Sequence, residues 1–293
     1  MFRIGIIGSD NSHAEAYGAL ANTGDGDGNR IPDVAVTHIY GTDPVRTKEV
    51  ADKCKIPNIV DESEHMLGEV DGVVCVWRHG SKHLSETAPF IKAGLPAFVD
   101  KPLASSAADA KELVRLAEAA KVGFSSFSSL RVAPNVVEYF NGPFKELGKI
   151  KGGFSTGPAD LKDDYDGLPF YGIHAVEMMV ATFGYGVKSV TAQTTGPMVQ
   201  ALCNYGDDAP LVTLNFVRPN PYVFHVMAFG DEKYNELVVD HKGAYFEAMK
   251  IFVDVMRTGK WYLTAAQMVE PIQILDATVK SLNEKRTVLL SEV

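Results

Sequence analysis

The sequence predicts an α/β chain in which a Rossmann-like, doubly wound parallel sheet is followed by an α+β domain built on an open, mainly antiparallel sheet. Two observations carry this reading. Over residues 1–122, short runs that are apolar throughout alternate with helical patterns. A strand apolar on both sides is one covered on both faces, as in a parallel sheet with flanking helices. From about residue 149, strand-like runs follow one another directly, mostly separated by Gly, Pro, Asp or Asn, the pattern of antiparallel strands with short connections.

Taken in order, FRIGII is the first strand, and the loop GSDNSH leads from it into a helix near residues 14–21. VAVTHIY is the second strand, and Asp43 with Pro44 suit the N-cap and first position of the next helix. VDGVVCVW, a helix near 84–93 and PAFVD continue the rhythm. Ser106 and Asp109 form a capping-box pattern, and Leu113, Leu116, Ala117 and Ala120 repeat at i, i+3, i+4, i+7, marking an amphipathic helix that ends before Gly123. The second half offers the strands KIKGGFST, SVTAQTT, ALCNY, LVTLNFV, YVFHVMAF and ELVVD. Helices are expected near 174–183, closed by Gly184, and near 244–257 and 265–283, the last opened by a staple and capping box from Leu263, Thr264, Gln267 and Met268. The expected domains are 1–122, nucleotide-binding, and 123–293, for substrate binding and oligomerisation.

With 293 residues, 46% of them hydrophobic, the chain can fill the cores of two modest domains. A net charge of −9 without any basic run argues against nucleic acid and anionic membranes as partners. No stretch approaches the ~20 apolar residues of a membrane span, and MFRIGII lacks the parts of a secretion signal, so a cytoplasmic location is expected. Cys54, Cys75 and Cys203 have no paired spacing, which argues against a disulfide framework or zinc knuckle. Asp25, Asp27 and Asn29 have calcium-loop spacing, but Arg30 and Val36 stand where such a loop needs Gly and Glu. His13, His79 and His83 lack a carboxylate or thiolate to complete a ligand set, so no metal is expected.

Four places can carry chemistry. In a dinucleotide fold the first βα turn presents backbone N–H groups and a helix N-terminus to the pyrophosphate, with glycines for close approach. Here only Gly8 remains of the three usual glycines, and Ser9, Asp10, Asn11, Ser12 and His13 follow it. Asp10 must point away from a bound phosphate, since a carboxylate a few ångströms off repels it by about 1 to 4 kcal/mol. The loop is equally compatible with a plain N-cap. At the end of the second strand an acid usually meets the adenosine ribose, and here Gly41 stands there, followed by Thr42 and Asp43. NAD and NADP both stay open. Lys101 follows an apolar strand at its carboxyl end, where open α/β sheets bind ligands, and Pro102 biases it to extended backbone; an ordinary surface lysine is the alternative. His174 lies off the apolar stripe of Val176, Met179, Val180 and Phe183, at an expected helix start, as a proton-transfer group or a structural histidine.

Together, the strand–loop GSDNSH, DGVVCVWRHGSKH, AGLPAFVDKPLA, ELGKI and YGIHAVEMM resemble, in order and spacing, the glucose-fructose oxidoreductase and inositol dehydrogenase (Gfo/Idh/MocA) family. DKPLA looks like the family's EKP motif with Asp100 for Glu, and GIHAVE like its GxHxxD segment with Glu177 for Asp. The resemblance implies an NAD(P)-dependent oxidoreductase of a sugar, cyclitol or related polyol, and a homodimer or homotetramer formed through the C-terminal sheet. It places Lys101 between nicotinamide and substrate, His174 as the proton-transfer residue, and Trp77, Arg78, His83 and Asp100 with the cofactor. Tyr171 joins Lys101 and His174 as a substrate residue. The sequence departs from the family at Phe170, four residues before the histidine, where an Asp is common; Tyr171, Asp163, Asp164 or Asp166 are candidates to replace it. Relatives that bind NAD yet catalyse a redox-neutral glycoside cleavage, and a non-catalytic sugar- or nucleotide-binding relative, are the alternative readings.

Overall fold

A computed structural model describes residues 1–218 and 222–293. The chain forms two compact units: residues 1–104, 109–127 and 245–265 make the first, and 105–108, 128–244 and 266–293 the second. Residues 245–265, read from sequence as part of the second half, therefore group with the first.

The first unit is built on β1 (Phe2–Ile7), α1 (Ser12–Asn22), β2 (Val34–Tyr40), α2 (Pro44–Cys54), β3 (Asn58–Val60), β4 (Gly72–Cys75), α3 (His83–Lys92), β5 (Ala97–Val99), α4 (Ala107–Ala120) and β6 (Phe124–Ser125). All six strands are parallel, in the order β3-β2-β1-β4-β5-β6, the doubly wound arrangement whose direction reverses between β1 and β4. The strands are apolar because both faces are covered: every residue of β4 and β5 is buried. Asp43 caps α2 as the sequence predicts, accepting from the N–H groups of Val45 and Arg46.

Two glycines of this unit are fixed by packing. Gly8 has φ +102°, and a Cβ there would stand 2.9 Å from the Trp77 backbone nitrogen, so only glycine lets the loop after β1 lie against the end of β4. A Cβ on Gly41 would lie 2.0 Å from Ser9 Oγ and 2.4 Å from Thr47 Oγ1, two hydroxyls bonded to each other at 2.8 Å in the core. The ribose acid of other dinucleotide folds is absent here because its place is filled.

The second unit contains α5 (Pro134–Asn141), β7 (Ile150–Pro158), α6 (Pro169–Phe183), β8 (Ser189–Thr195), β9 (Met198–Asn204), β10 (Leu211–Val217), β11 (His225–Gly230) and β12 (Tyr234–Val238). The chain closes with α7 (Ala244–Thr258), α8 (Ala265–Glu284) and β13 (Val288–Leu289). Its sheet runs β12-β11-β7-β10-β9-β8-β13. It is mainly antiparallel as expected, with one parallel pair, β7 beside β10. Strand β11 starts at His225, three residues later than the apolar run does. Helix α6 starts at Pro169, five residues earlier than the sequence pattern indicates, with proline at its first position, where no N–H is needed. It lies on the inner face of the sheet, where β7 carries small residues: Gly157 meets Ala175, and Ser155 Oγ donates to the Ala175 carbonyl at 2.8 Å.

We expect Gly41→Asp, which would reinstall the missing acid, to lower the free energy of unfolding by about 1–3 kcal/mol through overpacking against Ser9 and Thr47. Chemical denaturation midpoints of the variant and the natural chain measure it.

Candidate functional site

The loop after β1 is held by its own side chains. Asn11 caps α1, accepting from His13 N–H at 2.5 Å, and its amide donates to the Val76 carbonyl beyond β4. Asp10 turns to the same strand end and accepts from Arg78 N–H at 3.3 Å, so its carboxylate is drawn onto a backbone donor. Ser9 is buried on Thr47, and its carbonyl accepts from Arg46 Nε at 3.2 Å. Ser12 opens the helix and is exposed. His13 reaches across to β5, where Nδ1 pairs with the Asp100 carboxylate, and its ring meets Tyr245 edge-on at 4.9 Å.

Asp100 and Lys101 follow β5 directly and are both buried, Lys101 to 6% exposure, so Lys101 is not the surface lysine of the alternative reading. Burial alone would raise the Asp100 carboxyl; the neighbouring His13 and Lys101 charges outweigh it and hold the group below the usual carboxylate range. One oxygen of Asp100, Oδ1, is buried with no hydrogen-bond partner among the described residues. His83 is wholly buried, with Nδ1 at 2.8 Å from the Pro102 carbonyl and Nε2 at 2.9 Å from that of Trp77. Burial pushes its pKa down. Both ring nitrogens face backbone carbonyls, so His83 joins the segments after β4 and β5. Trp77 is a packing residue under Gly8, while Arg78 offers its backbone N–H to Asp10. At the end of β2, Thr42 and Asp43 are exposed. Arg46 is engaged by Glu15 at 2.5 Å.

In the second unit His174 sits inside α6, buried to 7% exposure, not at a helix start. Its Nδ1 lies 2.7 Å from Ser128 Oγ, and its ring is edge-on to Phe224 at 5.1 Å and tilted to Tyr171 at 5.6 Å. One turn on, Glu177 is paired with Arg131 at 3.1 Å, and Arg131 also donates to Tyr185 Oη at 2.6 Å. Burial raises the Glu177 carboxyl, with Arg131 opposing.

Tyr171 lines a cavity of about 240 Å³ together with Pro158, Ala159, Asp163, Arg218 and Tyr222. Arg218 Nη1 bridges Asp160 and Asp163, each at 3.1 Å. Phe170 packs between Tyr165 and Tyr171. Of the three acids that could stand in for the missing one, Asp163 shares this wall with Tyr171, Asp166 accepts from Ser105 at 2.7 Å, and Asp164 is exposed. Sequence reasoning missed Ser128, Arg131, Arg218, Tyr222 and Tyr245, which lie in no motif. Among the described residues no group of three or more His, Cys, Asp or Glu could hold a metal ion, and no helix is long and apolar enough to cross a membrane.

Comparison with known proteins agrees with this architecture. The family model GFO_IDH_MocA, an oxidoreductase family with an NAD-binding Rossmann fold, matches residues 2–127. No curated protein matches the sequence. Among solved structures, GenD2 from gentamicin A biosynthesis, in complex with NAD, superposes with a TM-score of 0.82 at 17% identity, over 98% of this chain and 96% of that one. The scyllo-inositol dehydrogenase of Lactobacillus casei, with bound NAD(H) and scyllo-inositol, gives 0.79 at 14% identity, covering 99% of each. The myo-inositol 2-dehydrogenase of Lactobacillus plantarum gives 0.80 at 16%, covering 98% of this chain and 99% of that one. At such identities the structural likeness establishes the fold. The family match, the parallel sheet with its β1–α1 turn, and the lysine after β5 agree: residues 2–127 are similar to the GFO_IDH_MocA oxidoreductase family, with its NAD-binding Rossmann fold.

Proposed function

We propose that the chain is an NAD-dependent oxidoreductase of a sugar, cyclitol or related polyol. The observation that carries this is Lys101, a buried cation at the carboxyl end of β5, beside a carboxylate that keeps one buried oxygen unpaired. That orphan acceptor, the α1 N-terminus, and Asp10 turned onto Arg78 N–H together fit a dinucleotide. Residues Gly8 to His13 hold its pyrophosphate side, Thr42 and Asp43 its adenosine side, and Asp100 its nicotinamide side, with Trp77, Arg78 and His83 supporting the loops. Bound NAD supplies the hydride acceptor. Lys101 steadies negative charge on the reacting oxygen, and His174 handles its proton. Tyr171, with the aromatic and charged wall of the cavity it lines, is suited to a polyol: rings cover C–H faces while Asp163 and Arg218 meet hydroxyls.

NAD is preferred to NADP because Arg46, the first cation after β2 in the sequence, is already paired with Glu15, and Asp43 would repel a 2′-phosphate. The assembly is a homodimer or homotetramer through the outer face of the second sheet. There Leu211, Phe229 and Tyr234 lie in register across β10, β7, β11 and β12, at 58%, 45% and 71% exposure, with Gly152 between the first two.

Three outcomes are expected. Fluorescence titration gives NADPH an affinity roughly tenfold below that of NADH, the equivalent of about 1.4 kcal/mol; binding of neither would sink the assignment. Lys101→Met lowers turnover of a responsive polyol by roughly 10²–10³-fold while NADH affinity is retained, and an unimpaired rate would remove Lys101 from the chemistry. Light scattering finds an oligomer for the natural chain and a monomer for the double variant Leu211→Glu, Phe229→Glu.

A further inference from the structure

We propose that Ser128 is the positioning residue of His174 and that it holds the neutral imidazole with its proton on Nε2. The functional half of this inference rests on the reading of His174 as the proton-handling group; the structural half does not. Ser128 is completely buried, and its Oγ has two partners among the described residues: Leu130 N–H at 3.3 Å and His174 Nδ1 at 2.7 Å. The Leu130 group can only donate. The one hydrogen of the hydroxyl therefore has Nδ1 as its acceptor, and a ring nitrogen that accepts carries no proton. In the neutral ring the proton then sits on Nε2.

The placement is reinforced one turn further along. Ser128 precedes a short 3-10 turn, Ser129–Val132, which carries Arg131. Two pairs three residues apart on each segment thus clamp this turn to α6: Ser128 with His174, and Arg131 with Glu177.

The consequence is one of polarity. A carboxylate partner would accept from Nδ1–H and leave Nε2 with a lone pair, the arrangement of a resting general base. With the serine, Nε2 instead carries the N–H, the polarity that steadies an oxygen and does not take up its proton. To take up a proton at Nε2, the ring must first pass its existing one to the Nδ1 side, and the hydroxyl must turn to accept from it.

Nitrogen NMR of the full-length protein labelled in its histidines reads the tautomer directly, with His174→Gln to assign the signal. Above the titration of the ring, the natural chain should show Nε2 protonated and Nδ1 bare, and Ser128→Asp should reverse them. A protonated Nδ1 in the natural chain overturns the proposal. With a polyol that is turned over, Ser128→Ala should lose roughly tenfold in kcat at unchanged KM, with an altered pH profile, and Ser128→Thr should restore both. An alanine variant with natural kcat and pH profile overturns the positioning role. Should no polyol react, it is the reading of His174 that fails, while the NMR result still decides what Ser128 does.

Discussion

A carboxylate taken out of water must be paired, or it costs several kcal/mol. Asp100 is such a group, and much of the first unit follows from satisfying it. His13 reaches it from the start of α1 and Lys101 stands beside it in the chain. To bring His13 there, the loop after β1 must take a fixed course, and Asn11 and Asp10 fix it by bonding to backbone groups at the end of β4. A loop held by side chains needs less of the conformational freedom that glycine provides. The lost glycines and the gained polar residues are thus one substitution, and Gly8 survives where Trp77 leaves no room for a Cβ.

The second unit buries polar groups by a different route. Helix α6 is apolar on nearly every side, and its two buried titratable residues, His174 and Glu177, are one turn apart. They meet a turn that offers a hydroxyl and a guanidinium at the same spacing. Removing one partner of a buried ion pair costs about 3–5 kcal/mol, so the Arg131–Glu177 pair anchors the helix, and the weaker serine contact inherits its geometry. A neutral partner suits the histidine here, since a second carboxylate so near Glu177 would add like charge to a dry interior.

The sheets were legible because their signals are long and periodic: the apolar runs of β1, β2, β4 and β5 fall within the strands expected. The N-cap at Asp43 was legible because its chemistry is local. Contacts between distant segments were not. Nothing in SFSSLRV marks Ser128 as the partner of a histidine 46 residues away, and nothing at Gly41 tells that Ser9 and Thr47 fill the space beside it. The start of α6 was placed late because YGIH follows an acidic turn with Gly167 and Pro169, which reads as loop when taken without the sheet beneath. The parallel pairing of β7 with β10 was hidden for the same reason: α6 and two further strands intervene between them.

Phe170 tests how far a site can be rebuilt around a missing acid. On α6 it lies one turn before His174, and its ring is held between Tyr165 and Tyr171. A carboxylate there would have to displace aromatic packing on both sides. An acid does stand in the segment leading into the helix, where Asp163 shares the cavity wall with Tyr171 and pairs with Arg218. A loop carboxylate balanced by an arginine still presents acceptor oxygens, but its charge is largely cancelled, so it can orient hydroxyls better than it can raise the basicity of a neighbouring ring. That agrees with a histidine partnered by a neutral hydroxyl. At Gly41, where other dinucleotide folds carry an acid, and at Phe170, where the resembled family commonly does, uncharged groups fill the position.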